Sequence, residues 1–165
     1  MEKFTTISVE EYDAIEILSL DRPDTLNSVT PAMADELIAY FSELHDRLST
    51  RIVIFRGNGR AFCAGADLGS DAFAAPGAGR PQRQLDMQQR YSRIIRLMRS
   101  CPQPIVALIH GAACGAGFSL LLASDVRFAT PAARMNAAYI RVGVGGCDMG
   151  SGYLLPRLIG PKSIR

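Results

Sequence analysis

Two segments rich in glycine and alanine carry the residues of this sequence that are best suited to chemistry. They are Ala61–Leu68 and His110–Gly117, and each follows an apolar stretch typical of a buried strand. Small residues at a strand end let a ligand approach the backbone closely and leave peptide N–H groups free to point at it. Two such turns side by side would direct two N–H donors at one oxygen. The pattern therefore predicts an oxyanion hole.

The elements that must position these segments alternate regularly along the chain. Apolar runs and alternating stretches predict strands, and the 3.6-residue period of the intervening segments predicts helices. Strands separated by helices, with continuous apolar strands, favour an α/β fold with a largely parallel sheet. The predicted strands are Phe4–Val9 and Ala14–Leu20, which would pair antiparallel, followed by Ile52–Phe55, Ile105–Ile109 and Val126–Ala129.

Three helices are predicted between these strands. Thr30 and Pro31 are typical of an N-cap followed by the first helical residue. The segment Gly69–Pro81, rich in alanine, glycine and proline, is predicted to be a loop over a site. The third helix is predicted at Ala116–Ala123. The expected buried positions are Leu37, Phe41, Leu44 and Leu48 in the first helix, and Met87, Tyr91, Ile94, Ile95 and Met98 in the second, which should stop at Cys101–Pro104.

Composition limits the classes of function. The chain has 165 residues, which fits one domain, and a formal net charge of +2. It shows no basic run and no apolar stretch of spanning length, and its first residues lack a signal-peptide pattern. We therefore expect a cytoplasmic protein that binds neither nucleic acid nor membranes. The four cysteines lack the spacing of a metal site, so no metal is expected.

The motifs FCAGADL and HGAACGAG identify a resemblance to the crotonase (enoyl-CoA hydratase/isomerase) superfamily. Three further segments match the family in the same order, so that the likeness covers essentially the whole chain: Asp21–Ser28, Ser124–Ala129 and Leu155–Gly160. The resemblance implies the ClpP/crotonase fold, a coil of repeated ββα units. Residues 1–165 would form a single N-terminal core domain that lacks the family's C-terminal helical region. The full-length protein would be a homotrimer or hexamer.

The resemblance also implies a substrate and its binding positions. The partner would be an acyl-CoA thioester, with no cofactor beyond the CoA that the substrate carries. The oxyanion-hole donors would be the backbone N–H groups of Ala66 and Ala116. The basic residues Arg22, Arg60 and Lys162 could reach the CoA phosphates. The implied substrate-binding positions are Thr25, Ala64, Ala66, Asp67, Leu68, Ala113, Gly115, Ala116 and Tyr139.

The catalytic positions depart from the hydratase pattern. The two hydratase glutamates align with Ser119 and Tyr139, and neither hydroxyl is an adequate base at neutral pH. Asp148 aligns with a catalytic aspartate of the dienoyl-CoA isomerases, which makes it the candidate base. It could instead cap the helix predicted near Gly150. Isomerase-type proton transfer is therefore favoured over hydration, and the alternative is a non-catalytic acyl-CoA-binding protein with the crotonase fold.

A dinucleotide-binding site is a weaker interpretation of the second segment. The glycines at Gly111, Gly115 and Gly117 do not follow the G-x-G-x-x-G spacing, and no P-loop lysine is present. A nucleotide-binding fold stays as a distant alternative.

Overall fold

The computed structural model describes residues 4–69, 79–145, 147 and 149–160. Its helices are α1 (Pro31–Leu44), α2 (Arg80–Ser100), α3 (Ala116–Ala123) and α4 (Ser151–Ile159), with short 3₁₀ helices at Pro23–Thr25 and Ala138–Val142. Its strands are β1 (Ile7–Tyr12), β2 (Ile15–Leu20), β3 (Ile52–Gly57), β4 (Ala61–Cys63), β5 (Ile105–Ile109), β6 (Ala112–Cys114), β7 (Val126–Ala129) and β8 (Arg134–Asn136).

The strands form two sheets, and from β3 onward the chain alternates between them. The larger sheet has the order β1-β2-β3-β5-β7, and all its pairs are parallel except β1 with β2. The smaller sheet has the order β4-β6-β8 and is parallel. Each strand of the larger sheet from β3 onward is followed by a short strand of the smaller one. Helices α2 and α3 follow β4 and β6, so the chain coils in ββα units. The predicted α/β class and the ββα coil are confirmed.

The short strands β4, β6 and β8 are where the sequence-based assignment was incomplete. We expected simple turns at Ala61–Cys63 and Ala112–Cys114, because a three-residue strand is too short to show a two-residue period. Both pair in the smaller sheet, Ala61 with Ala112 and Cys63 with Ala113. The two glycine-rich segments therefore begin as neighbouring parallel strands, and this brings their following turns together.

Helix α1 starts as predicted and ends earlier than predicted. The Thr30 side chain accepts a hydrogen bond from the Met33 N–H at 3.2 Å, and Pro31 is the first helical residue. The predicted inward positions through Leu44 are fully buried. Leu48, expected on the same face, is 90% exposed because the helix ends at Leu44. That expectation was wrong, since a continued period cannot reveal where a helix stops.

Helices α2 and α3 cover the site region. All five predicted inward residues of α2 are buried, and the helix ends at Ser100, immediately before Cys101 and Pro102. Much of the predicted loop Gly69–Pro81 lies outside the described residues. Helix α3 is buried along all eight of its residues. Within the described ranges, no helix combines the length and apolar character needed to cross a membrane.

Candidate active site

The two glycine-rich turns meet through their glycines. We call residues 64–69 the first turn and residues 115–117 the second turn. Gly65 has a φ of +113°, and a side chain built on it would place Cβ 3.1 Å from the Cys114 carbonyl oxygen and 3.9 Å from the Ala116 nitrogen. Gly115 has a φ of +49°, and its Cβ would lie 4.0 Å from the Gly65 Cα. Backbone therefore faces backbone where the turns touch, which requires glycine at the contact.

The N–H groups of Ala66 and Ala116 are both free of protein acceptors in the described part of the chain. Val29 pairs with Ala66 as an isolated parallel bridge, in which the Val29 N–H donates to Gly65 at 2.8 Å and the Asp67 N–H donates to Val29 at 2.9 Å. The bridge uses the groups on both sides of the Ala66 N–H and leaves that donor unpaired. Ala116 is the first residue of α3, where N–H groups lack intrahelical partners and the helix dipole favours negative charge.

A cavity of about 110 Å³ opens beside the two turns. Its described lining is largely apolar. It includes six of the implied substrate-binding positions, together with residues from α2 and from the region between β8 and α4. The lining residues are Ala64, Gly65, Ala66, Leu68, Met87, Gln88, Tyr91, Gly115, Ala116, Ala138, Tyr139, Val142, Val144 and Met149.

Three implied substrate-binding positions do not line this cavity. Thr25 is exposed in a 3₁₀ helix, and its hydroxyl donates to the Arg22 carbonyl at 3.3 Å. Ala113 is fully buried in β6. Asp67 turns its carboxylate toward Arg22 instead. The binding roles of all these positions stay predictions.

The two positions aligned with hydratase glutamates are in direct contact. The Ser119 Oγ and the Tyr139 hydroxyl lie 2.6 Å apart, within hydrogen-bonding distance. Ser119 is completely buried one turn into α3, whereas Tyr139 is partly exposed and lines the cavity. The two histidines bond elsewhere: His110 bonds to the Gly59 carbonyl at 2.7 Å, and His45 bonds to Asp46. The two hydroxyls can donate and accept hydrogen bonds but bring no carboxylate.

Asp148, the candidate base, lies outside the described residues, as does Lys162. Helix α4 begins at Ser151, directly after Gly150, close to where the sequence predicted it. The catalytic and the capping role of Asp148 both stay predictions of the sequence.

Asn27 fastens the entry to the first turn. Its side chain is fully buried, and its φ of +56° is a left-handed conformation that asparagine tolerates better than most residues. The Nδ2 group lies 2.8 Å from the Asn58 carbonyl oxygen, 2.9 Å from that of Ala61 and 3.3 Å from that of Phe62. The Oδ1 atom accepts from the Arg22 N–H at 2.9 Å. One amide therefore ties strand β4 to the segment before α1.

Asp67 fastens the other end of the first turn. Its carboxylate pairs with the Arg22 guanidinium at 3.1 Å and accepts from the Ser28 hydroxyl at 3.2 Å and the Gly69 N–H at 3.2 Å. Burial disfavours the charged form, but these hydrogen bonds outweigh it and lower the pKa of Asp67 below its ordinary value. Arg22, considered for CoA phosphates, is thus held by protein groups.

Tyr91 is a site residue that sequence reasoning assigned to the core alone. Its ring lines the cavity, and its hydroxyl donates to the Val29 carbonyl at 2.8 Å. Burial, the largest effect, raises the pKa of this phenol, so the hydroxyl is a neutral donor. The only sequence signal for Tyr91 was its position on the inward face of α2. That signal does not distinguish a tyrosine that only packs from one whose hydroxyl makes a specific hydrogen bond.

Cys63 lies next to both turns, and its thiol is unreactive because it too is buried. Burial raises the pKa of its thiol to about 12. A thiol of this kind stays protonated at neutral pH and packs as a small apolar group.

Comparisons with known proteins identify the family that the chain is similar to. The sequence model of the enoyl-CoA hydratase/isomerase family matches residues 10–165. A Rhodobacter capsulatus protein named "Probable enoyl-CoA hydratase" is 36% identical over 157 residues, covering 95% of this chain and 58% of the relative. The 1,2-epoxyphenylacetyl-CoA isomerase of Escherichia coli is 32% identical over 143 residues, covering 87% of this chain and 54% of the relative.

A solved structure shows the same fold. It is the crystal structure of a Streptomyces coelicolor A3(2) protein provisionally assigned as an enoyl-CoA hydratase, with a TM-score of 0.91 and 36% identity. The match covers 99% of this chain and 59% of that protein. The chain thus spans between half and three-fifths of the length of these relatives. On the matching family model, the identities and the shared fold, this chain belongs to the enoyl-CoA hydratase/isomerase family.

Proposed function

We propose that this chain forms the thioester-binding core of an acyl-CoA enzyme that stabilises an enolate between the N–H groups of Ala66 and Ala116. The observation that carries the proposal is the meeting of two turns whose N–H groups have no acceptor among the described residues. A thioester carbonyl oxygen gains negative charge as its α-carbon loses a proton. One donor aimed at such an oxygen stabilises the transition state by about 3 kcal/mol.

The proposed reaction is proton transfer between carbons rather than the addition of water. Hydration needs one group to take a proton from water and another to deliver a proton to carbon. The hydroxyls of Ser119 and Tyr139, 2.6 Å apart, stand where the resemblance expects two glutamates, and they supply no ionised base at neutral pH. In an isomerase a single carboxylate can carry the proton from one carbon to another. Asp148 is the residue that we propose for this role.

A non-catalytic acyl-CoA-binding protein is the second candidate. It is favoured by the lining of the cavity, in which none of the described residues is a carboxylate or an imidazole. Both candidates predict binding of the thioester, and they differ in turnover.

The family resemblance further supports three expectations for the whole protein. It would need no cofactor beyond the CoA of the substrate, it would act in the cytoplasm, and it would assemble as a homotrimer or hexamer. Light scattering coupled to size-exclusion chromatography tests the assembly directly.

Calorimetry with butyryl-CoA tests the binding, and the expected result is saturable binding that CoA alone does not reproduce. Absence of binding would contradict both candidates. Conversion of a 3-enoyl-CoA or a dienoyl-CoA then separates enzyme from binder. Hydration of crotonyl-CoA should be negligible, and turnover near that of an ordinary hydratase would contradict the proposed reaction.

The variant Asp148→Asn tests the base. It preserves the size and the capping ability of the side chain but removes proton transfer. Isomerisation should fall by on the order of a hundredfold or more. Isomerisation like that of the unaltered protein, in a folded variant, would assign Asp148 to capping.

A further inference from the structure

We propose that the Tyr91 hydroxyl positions the Ala66 N–H donor through Val29. The inference rests on the proposed function of Ala66 and adds a residue that the sequence motifs do not contain. Tyr91 would act on the thioester indirectly, by holding the backbone that carries the donor.

The contacts form a short chain of hydrogen bonds. The Val29 carbonyl accepts from the Tyr91 hydroxyl at 2.8 Å and from the Asp67 N–H at 2.9 Å. The Val29 N–H donates to the Gly65 carbonyl at 2.8 Å. Both neighbours of Ala66 are therefore bonded to Val29, and the Tyr91 hydroxyl bonds to the Val29 carbonyl oxygen that also accepts from Asp67.

Val29 is buried, and its carbonyl therefore depends on the Tyr91 hydroxyl for a second hydrogen bond. Val29 is 1% exposed and Tyr91 is 5% exposed, so water cannot readily replace the lost donor. Without the hydroxyl, the Val29 carbonyl would keep a single partner, and the bridge that orients Ala66 would be free to shift. An oxyanion donor acts within a narrow range of distances, about 2.7 to 3.1 Å from the developing charge. A small shift of the bridge would therefore weaken the hydrogen bond from the Ala66 N–H to the thioester oxygen.

A packing role for Tyr91 makes a different prediction. The Tyr91 side chain forms part of the cavity wall, and phenylalanine would preserve the same packing. If only packing mattered, Tyr91→Phe would leave the polarisation of a bound carbonyl unchanged.

The variant Tyr91→Phe separates the two roles, with Tyr40→Phe as the matched control. Tyr40 is also fully buried, and its hydroxyl donates to Glu16 at 2.9 Å, but it does not line the cavity. The probe is butyryl-CoA labelled with ¹³C at the carbonyl, observed by isotope-edited infrared spectroscopy. The stretching frequency of this carbonyl should fall on binding to the unaltered protein, because two N–H groups polarise it.

We expect Tyr91→Phe to lose most of this fall in frequency while its dissociation constant changes less than about threefold. Turnover of a 3-enoyl-CoA, where present, should drop by about tenfold with little change in KM, which is less than the loss on removing a donor outright. Tyr40→Phe should lower stability and keep the full frequency shift. Denaturation with urea checks that both variants are folded under the conditions of the measurement.

The outcomes are distinct. An equal frequency shift in Tyr91→Phe and the unaltered protein would overturn the positioning role and leave the proposed function standing. A loss of the shift in Tyr40→Phe as well would assign the effect to general stability and would also overturn that role. No shift in the unaltered protein would overturn both proposals.

Discussion

The first and second turns expose the same kind of N–H group but are held in different ways. The backbone of the first turn bonds to Leu26 and Val29, and side chains brace this arrangement. Asp67 bonds to Gly69 within the turn, Asn27 ties the preceding strand β4, and Tyr91 bonds to Val29. In residues 111–118 the described part of the chain shows no side chain that donates to or accepts from the backbone. That segment is held by backbone contacts instead: the Gly115 N–H donates to the Asn136 carbonyl at 2.9 Å, and a Cβ on Gly117 would lie 2.3 Å from the Cys63 carbonyl oxygen.

The comparison shows that an unpaired backbone N–H group can be held in place in two ways, and that the two ways are sensitive to different substitutions. A turn tethered by side chains is sensitive to the removal of atoms. A turn seated by contact between backbones is sensitive to the addition of atoms. Removal of the bracing side chains should therefore damage the first turn and leave the second largely unaffected, whereas a methyl group added at Gly117 should damage the second.

The largest effect is expected for Asn27→Ala. The substitution removes the buried amide donor that the Ala61 and Phe62 carbonyls share, and it forces alanine into a left-handed conformation. We expect a loss of about 3 kcal/mol in the free energy of unfolding. Urea denaturation measures it. The matched truncation in the other region is Cys114→Ala, which should cost less than about 1 kcal/mol, and equal costs for the two variants would refute the comparison.

A smaller but clear effect is expected for Gly117→Ala. The new Cβ would meet the Cys63 carbonyl oxygen at 2.3 Å and its Cβ at 2.7 Å, so helix α3 or strand β4 must move. Overpacking of this kind costs about 2 kcal/mol. The control is Gly145→Ala, because a Cβ there meets nothing within 4 Å. Thermal unfolding of the two variants gives the difference, and an unchanged stability for Gly117→Ala would show that the second turn is not seated by contact.

The smallest effect concerns acid and the first turn alone. Because the folded protein lowers the pKa of Asp67, its stabilising contribution is complete above the ordinary carboxyl pKa and is lost as the pH falls through the lowered value. Asp67→Asn should reduce the free energy of unfolding by about 0.5–1 kcal/mol at pH 7. The gap between the two proteins should close toward pH 2. A gap that persists in acid would assign the contribution to packing rather than to charge.

Sequence reasoning predicted the elements with strong periodicity and missed those with none. Strands β5 and β7 and helix α3 have the predicted boundaries, because apolar runs and glycine or proline neighbours mark them. The strands β4, β6 and β8 have three residues each, which is too few to show a period. Leu48 was wrongly predicted to be buried, because the apolar period of the sequence continues beyond the residue at which the helix ends.

The sequence by itself determined the family, the α/β class and the two glycine-rich turns, since these depend on residue types at short spacing. Tertiary structure alone decided that Ser119 and Tyr139 touch, that Asn27 ties three carbonyls, and that Tyr91 reaches Val29. These partners are separated by 20 to 62 positions in the chain. No local pattern encodes such contacts, because they arise when the coil stacks its units and brings distant polar groups into a shared interior, where each must find a partner.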